Sequence, residues 1–163
     1  MKWIKKNKLI VIAIIMIMIL IILYILYDFS VYGEIRRELK INVKSCDIIK
    51  SIDTHGGFHG DGQLFAIFDC SKDSNKIIKQ IKEWDLLPID DDYLKKLFDG
   101  IKTNDLYVNE MKEFDILNLQ NGYYYFKGIN PYVWDDGSKE YFNKRIAIYD
   151  LDTNILYFYE SDT

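Results

Sequence analysis

The sequence predicts an α+β protein in which an N-terminal transmembrane helix is followed by a small antiparallel sheet, in the order β-β-α-α-β-β-β, with helices on one face. One uninterrupted apolar run near the N-terminus is long enough to cross a bilayer. After it, segments with period-two alternation lie on both sides of a middle part with helical periodicity. This arrangement is typical of an antiparallel sheet with its helices packed on one side.

The apolar run covers residues 9–27, nineteen residues without a charge. As a helix it measures roughly 28 Å, close to the ~30 Å hydrocarbon core of a bilayer. It exceeds the ~7–15 apolar residues of a signal peptide, and it continues into Tyr27 and Asp28 without an Ala-x-Ala cleavage pattern. The sequence therefore favours an uncleaved anchor over a cleaved signal sequence.

Positive charge predicts the orientation of this helix. Lysines that flank a span stay on the cytoplasmic side, and four of them precede the run: Lys2, Lys5, Lys6 and Lys8. Residues 1–8 are thus expected to form a cytoplasmic tail. Residues 28–44 form a charged juxtamembrane stem, with helical composition in EIRRELK, and residues 45–163 an extracytoplasmic domain. The expected location is the cell membrane, single-pass, with the C-terminal domain extracellular.

The outer part is acidic. Without the four N-terminal lysines, the 21 basic residues of the chain fall to 17 against 25 acidic ones, a net charge of −8. Such a domain repels phosphate backbones, which excludes nucleic acid as a partner. The expected partners are the membrane, through residues 9–27, and a protein at the cell envelope.

The first two strands, residues 45–53 and 63–70, are predicted to pair as a long hairpin. Antiparallel pairing with Cys46 opposite Cys70 and Ile48 opposite Phe68 also sets Ile52 opposite Leu64, which gathers these apolar residues on one face. On the outer side of a membrane, two opposed cysteines are candidates for a disulfide. Two small buried hydrophobic residues would explain the same positions, and both interpretations remain open.

Helical spacing follows in residues 74–84, with Asp73 or Ser74 able to cap the first turn. A second short helix is predicted over 90–98, with acidic residues in its first turn and a glycine stop at Gly100. Residues 101–121 show no clear period.

Three further strands are predicted at 122–127, 145–150 and 155–159. The last two flank the turn sequence DLDTN and should form a second hairpin. Residues 128–144, which contain glycine, asparagine and proline, are expected to form a loop. DLDTN also resembles the start of a calcium-binding EF-hand loop, but the later glycine and glutamate of that motif are missing, and the turn explains it.

The hairpin tip, SIDTHGGFHGDGQ at residues 51–63, contains both histidines of the chain. Its candidate functional residues are Asp53, His55, His59 and Asp61, and the last three are weak candidates for a site of zinc or another divalent metal. The glycines exclude a helix, so the two histidines are not aligned as in helical zinc motifs. An ordered tip whose glycines hold positive-φ turns explains the same residues, so no cofactor is expected.

Three segments carry a resemblance to a protein group: DTHGGFHGDG, GYYYFK and AIYDLDTNILYFYE. Together they resemble a group of small proteins from Gram-positive bacteria, often membrane-anchored or secreted, for which we know of no assigned function. The resemblance implies a compact extracytoplasmic domain and carries over no catalytic residue. The function expected from the sequence is a non-enzymatic binding or interaction module at the cell envelope. The alternative is a small metal-binding protein or hydrolase centred on His55, His59 and Asp61.

Overall fold

The computed structural model describes residues 8–56, 61–103, 116–135 and 139–162, except the side chains of 98–103 and 117. The chain divides into two compact units, one ending at Lys40 and one running from Ile41 to Thr163.

The first unit contains the apolar helix α1 (Lys8–Asp28) and the short helix α2 (Val31–Leu39). No residue of α1 is buried, and its length and composition suit a membrane span. Ser30 caps α2, where its side chain accepts a hydrogen bond from the backbone N–H of Gly33. Arg37 contacts the carboxylates of Asp28 and Glu34, which ties the second helix to the end of the first.

The second unit is built on a six-stranded antiparallel sheet with the strand order β1-β2-β6-β5-β4-β3. The predicted α+β class and antiparallel sheet are therefore confirmed. The strands are β1 (Asp47–Asp53), β2 (Gly62–Asp69), β3 (Asp85–Leu86), β4 (Gly122–Val133), β5 (Lys139–Asp150) and β6 (Ile155–Asp162). The sequence order missed β3, which lies between the two helices, because two residues are too few to show a period.

Both predicted helices of the second unit are present, with shifted ends. Helix α3 covers Ser74–Ile81, and its buried residues are Ile77 and Ile81. Helix α4 covers Asp92–Thr103, preceded by Asp91, whose carboxylate accepts the backbone N–H of Leu94. The predicted stop at Gly100 is wrong. A glycine inside a helix costs only about 1 kcal/mol, so it does not end a helix by itself.

The first hairpin keeps the predicted register only at its outer end. Ile48 lies opposite Phe68 as expected, but a bulge follows, and Ile52 lies opposite Phe65 instead of Leu64. A bulge inserts one extra residue into one strand and displaces every later pair. Ile48 is 40% exposed, so the buried face predicted for this strand is also wrong. β1 is the edge strand of the sheet, which explains this exposure.

Burial extends to both faces of the central strands. Phe65 and Ile67 of β2 belong to one core cluster together with Leu94 of α4. Leu64, Ala66 and Phe68 alternate with them on the opposite face and are also buried. The core cluster on the Phe65 face includes no residue of α3, although Ile77 and Ile81 are buried. The prediction placed the helices on one face, whereas burial in the structure requires cover on both.

Beyond the reach of β6, strands β4 and β5 continue as a two-stranded ribbon, residues 129–133 and 139–143. The loop predicted over 128–144 is therefore wrong. Pro131 is tolerated here because each ribbon strand has one paired neighbour only. Only glycine fits at position 128 without displacing a neighbour, because the ring of Tyr141 occupies the space that a Cβ would need. The second predicted hairpin is confirmed, since β5 and β6 pair around the turn 151–154.

A disulfide joins Cys46 to Cys70 across the open end of the first hairpin, with the two Cα atoms 4.4 Å apart. The two cysteines are 24 residues apart in sequence. The cross-link therefore removes conformational freedom from the unfolded chain, which corresponds to about 3 kcal/mol in the chain-entropy estimate.

We predict that replacing both Cys46 and Cys70 by alanine lowers the free energy of unfolding by about 3 kcal/mol. Denaturant titration of the full-length protein in detergent, followed by circular dichroism, measures this change. Reduced wild-type protein serves as the control and should lose the same stability, while the double variant should not respond to reductant. Equal stability of oxidised wild type and double variant would contradict the prediction.

Candidate functional site

The structure describes three of the four candidate residues of the hairpin tip, Asp53, His55 and Asp61. Asp53 and His55 lie in direct contact at the end of β1. Asp61 takes part through its backbone, because its carbonyl oxygen accepts the N–H of Gly56 at 3.4 Å. His59 lies outside the described residues. Among the described residues, the carboxylates grouped with His55 are those of Glu160 and Asp162, not that of Asp61.

The base of the tip is held by Thr54 and Gln63. The backbone N–H of Thr54 donates to the carbonyl of Gln63 at 2.9 Å, and the Thr54 hydroxyl accepts the N–H of Gln63 at 3.0 Å. Gly62 is required for a close approach, since a Cβ there would collide with the backbone of His55. The predicted positive-φ turns are wrong for Gly56 and Gly62, neither of which has a positive φ.

One carboxylate oxygen fixes both the backbone and the ring of His55. Oδ1 of Asp53 accepts the backbone N–H at 2.9 Å and lies 2.7 Å from ring Nδ1. An ionised carboxylate only accepts hydrogen bonds, so Nδ1 carries the proton in this pair. In the neutral ring, Nε2 then holds the unprotonated lone pair.

His55 is brought to the end of β6 by strand pairing. Gly62, which His55 overlies, is paired with Asp162 on the neighbouring strand. His55, Glu160 and Asp162 each offer one ligand atom, and the three atoms lie within 4.8 Å of one another. Nε2 of His55 is buried and is 4.0 Å from Oδ2 of Asp162.

Arg145 of β5 binds both carboxylates of this cluster. Nη2 lies 2.6 Å from Oε1 of Glu160, and Nη1 lies 2.6 Å from Oδ1 of Asp162. A third contact, from Nη2 to Oδ2 of Asp162 at 3.0 Å, makes the pair with Asp162 bidentate. The side chains of Arg145 and Glu160 are only 8% and 3% exposed, so this ion pair is held out of water.

Sequence reasoning missed Arg145, Glu160 and Asp162. The available signal was a charged residue inside an otherwise apolar strand, in KRIAIYD and ILYFYESD. Charged residues are almost never fully buried unless they are paired, so burial of these strands would have required the charges to meet. The periodicity gave no partner for any of these three charges, because it does not say which strands are neighbours.

Two other polar features, the DLDTN turn and a surface groove with several lysines, are explained by local hydrogen bonding and ion pairing. In the DLDTN turn, the carboxylate of Asp150 accepts the N–H of Asp152 and the hydroxyl of Thr153, as a turn requires. A surface groove of about 510 Å³ is lined by Lys44, Lys76 and Lys79, among others. Lys76 is paired with Asp73 at 2.7 Å, which offsets part of the positive charge of this groove.

Comparison with known proteins found no matching family model, curated protein or solved structure. The case for a site in this chain therefore comes from its own geometry.

We predict that Arg145→Met lowers the free energy of unfolding by about 3–5 kcal/mol, because it leaves Glu160 buried without its counter-charge. Denaturant titration measures the loss. Lys72→Met is the matched control: it breaks the pair of Lys72 with Asp47, whose side chains are 70% and 63% exposed. Exposed pairs contribute about 0–1 kcal/mol, so the control should stay near wild type. Similar losses in the two variants would contradict the assigned role of the buried pair.

Proposed function

We propose that this protein is a single-pass membrane protein that displays its second unit outside the cytoplasmic membrane as a non-enzymatic binding module. The main support for a location outside the cytoplasm is the disulfide between Cys46 and Cys70, because disulfides persist in oxidising compartments. The anchor is α1, which is 21 residues long, is apolar between its charged ends and has no buried residue. A helix of this length covers the hydrocarbon core of a bilayer.

Charge supports the orientation. The basic residues Lys2, Lys5, Lys6 and Lys8 precede the apolar helix, and such residues are retained in the cytoplasm. The aromatic side chains of Tyr24 and Tyr27 lie near the other end of the helix, where tyrosine favours the interface between lipid and water. The disulfide then lies on the oxidising side, in agreement with the lysine rule. We include in this proposal the resemblance of the sequence to anchored or secreted proteins of Gram-positive bacteria, which agrees with a domain outside the cytoplasm.

An exposed aromatic surface supports the binding role. Tyr132 and Phe142 of the β4–β5 ribbon are 46% and 52% exposed, and Trp134, which directly follows β4, is 50% exposed. Their rings form a connected group, with Tyr132 4.8 Å from Trp134 and 6.2 Å from Phe142 between ring centroids. Exposed apolar clusters mark interaction sites, and tryptophan and tyrosine are enriched among the residues that dominate binding energy. We expect a protein partner of the cell envelope to bind this ribbon.

We predict that a reporter enzyme that is active only outside the cytoplasm works when fused after Thr163. A reporter that is active only in the cytoplasm should fail at the same position. The control moves the positive charge to the other end of the helix. It replaces Lys2, Lys5, Lys6 and Lys8 by alanine and introduces Phe29→Lys and Ser30→Lys. This variant should lower the activity of the extracytoplasmic reporter and raise that of the cytoplasmic reporter. Cytoplasmic reporter activity from the unaltered chain would contradict the proposed orientation.

We predict that a photo-crosslinking amino acid at position 134 gives a discrete adduct with an envelope protein in intact cells. The same amino acid at Glu83, whose side chain is 83% exposed, serves as the control and should give none. Tyr132→Ala should weaken the adduct because it removes a neighbouring ring of the exposed aromatic surface. Absence of an adduct at 134, or equal labelling at both positions, would contradict a binding role for the ribbon.

A further inference from the structure

The ring of His55 faces the carboxylate of Asp162 at a distance too long for a hydrogen bond, with Nε2 4.0 Å from Oδ2. Nδ1 lies 2.7 Å from Oδ1 of Asp53, which accepts hydrogen bonds only, so this contact fixes the ring with Nε2 on the side of β6. Nε2 is buried, and among the described residues it has no hydrogen-bond partner. Oδ2 of Asp162 is an acceptor. A cation between the buried Nε2 and Oδ2 of Asp162 would give this ring nitrogen a partner.

The spacing of the cluster suits a metal ion. Two ligand atoms about 2.1 Å from a tetrahedral ion are roughly 3.4 Å apart. The ligand atoms of His55, Glu160 and Asp162 lie within 4.8 Å of one another, so closure requires shifts of about 1 Å. The side chain of Asp162 is 27% exposed, which leaves it room to move by this amount.

The contact between Asp53 and His55 matches the support that metal-binding histidines have. Such histidines almost always donate their second ring nitrogen to a carboxylate, a carbonyl or water, which fixes the ring and makes the ligating nitrogen more basic. Asp53 does this at 2.7 Å, and the same oxygen holds the backbone N–H of His55. The ring is therefore oriented toward β6 without help from the residues of β6.

Charge balance also favours a divalent cation. The carboxylates of Asp53, Glu160 and Asp162 bring three negative charges, and Arg145 supplies one positive charge. One divalent ion neutralises the remainder. Because Arg145 binds Oε1 of Glu160 and both oxygens of Asp162, the ion would share the Asp162 carboxylate with the guanidinium.

We propose that His55, Glu160 and Asp162 bind a first-row divalent transition metal ion, with Asp53 as the positioning residue. One imidazole and two carboxylates suit zinc or manganese, because imidazole favours transition metals and carboxylate also accepts manganese. A set without imidazole would suit calcium or magnesium better. The site is independent of the membrane anchor and of the aromatic ribbon, so it stands or falls separately from the proposed function.

The test uses full-length protein in detergent, without a histidine tag and with the disulfide oxidised. After chelator treatment and its removal, the melting temperature is measured with zinc, manganese or calcium, and calorimetry gives the dissociation constant. At about 100-fold excess over that constant, one bound ion should raise the melting temperature by roughly 10 °C. Zinc or manganese should give this rise with one ion per chain, and calcium should bind at least ~10-fold more weakly.

Variants in matched pairs locate the site. His55→Ala and Asp162→Asn should abolish the metal-dependent rise, while His59→Ala and Asp61→Asn should retain it. Asp53→Asn should retain binding with an affinity lowered by about 10–100-fold, as expected when the support of a ligand is weakened. The melting temperature of each metal-free variant, together with its circular dichroism, shows that the fold is intact. Should His55→Ala prove unfolded, cobalt titration of Asp162→Asn and wild type gives the same comparison through the absorption of the bound ion.

Three results would overturn the proposal. Zinc and manganese could leave the melting temperature of the wild type unchanged. The rise could persist in His55→Ala or Asp162→Asn. It could also disappear in His59→Ala or Asp61→Asn, which would move the site to the hairpin tip.

Discussion

The pairing of β2 with β6 is the interaction on which the rest of the second unit depends. It joins residues 62–69 to residues 155–162 and links the first hairpin to the three C-terminal strands. The ladder is antiparallel and in register over its full length, and both strands are buried on both faces at the centre. Strands that are covered on both faces are continuously apolar, as LFAIF and LYFY are. This one pairing therefore sets both the core and the approach of His55 to β6.

The apolar pattern of β6 gives way to charge at its end, where Glu160 and Asp162 follow the buried run. A buried carboxylate is costly unless it is paired and hydrogen-bonded. Arg145 meets this requirement from β5, since it is paired directly with Glu160 in the ladder and contacts Asp162 as well. The same carboxylates face Nε2 of His55 from the other side of the cluster. The carboxylates that pair with Arg145 are therefore the ones offered to the proposed metal ion, so two of its three proposed ligands lie on β6 and the third, His55, lies just past the end of β1.

The aromatic ribbon follows from strand lengths in the same sheet. β4 and β5 are twelve residues each, whereas β6 has eight, so the longer pair extends past the sheet. Phe126 of β4 and Tyr141 of β5 form a partly buried aromatic cluster with Tyr93 of α4. Outside it, Tyr132, Trp134 and Phe142 have neighbouring rings and remain half exposed. The high aromatic content of the chain therefore divides into a packing role and an exposed surface.

Local pattern by itself determined the apolar helix at residues 9–27, the α+β class, the second hairpin and the two helices, because periodicity and turn chemistry act over a few residues. It also placed Asp53 and His55 at a hairpin tip and Cys46 opposite Cys70. Only the tertiary structure decided what His55 faces, because Glu160 and Asp162 are about a hundred residues away and reach it through the β2–β6 ladder. The bulge at Ile49 and the extended β4–β5 ribbon were likewise decided by packing and pairing with neighbouring strands, which a local pattern does not record.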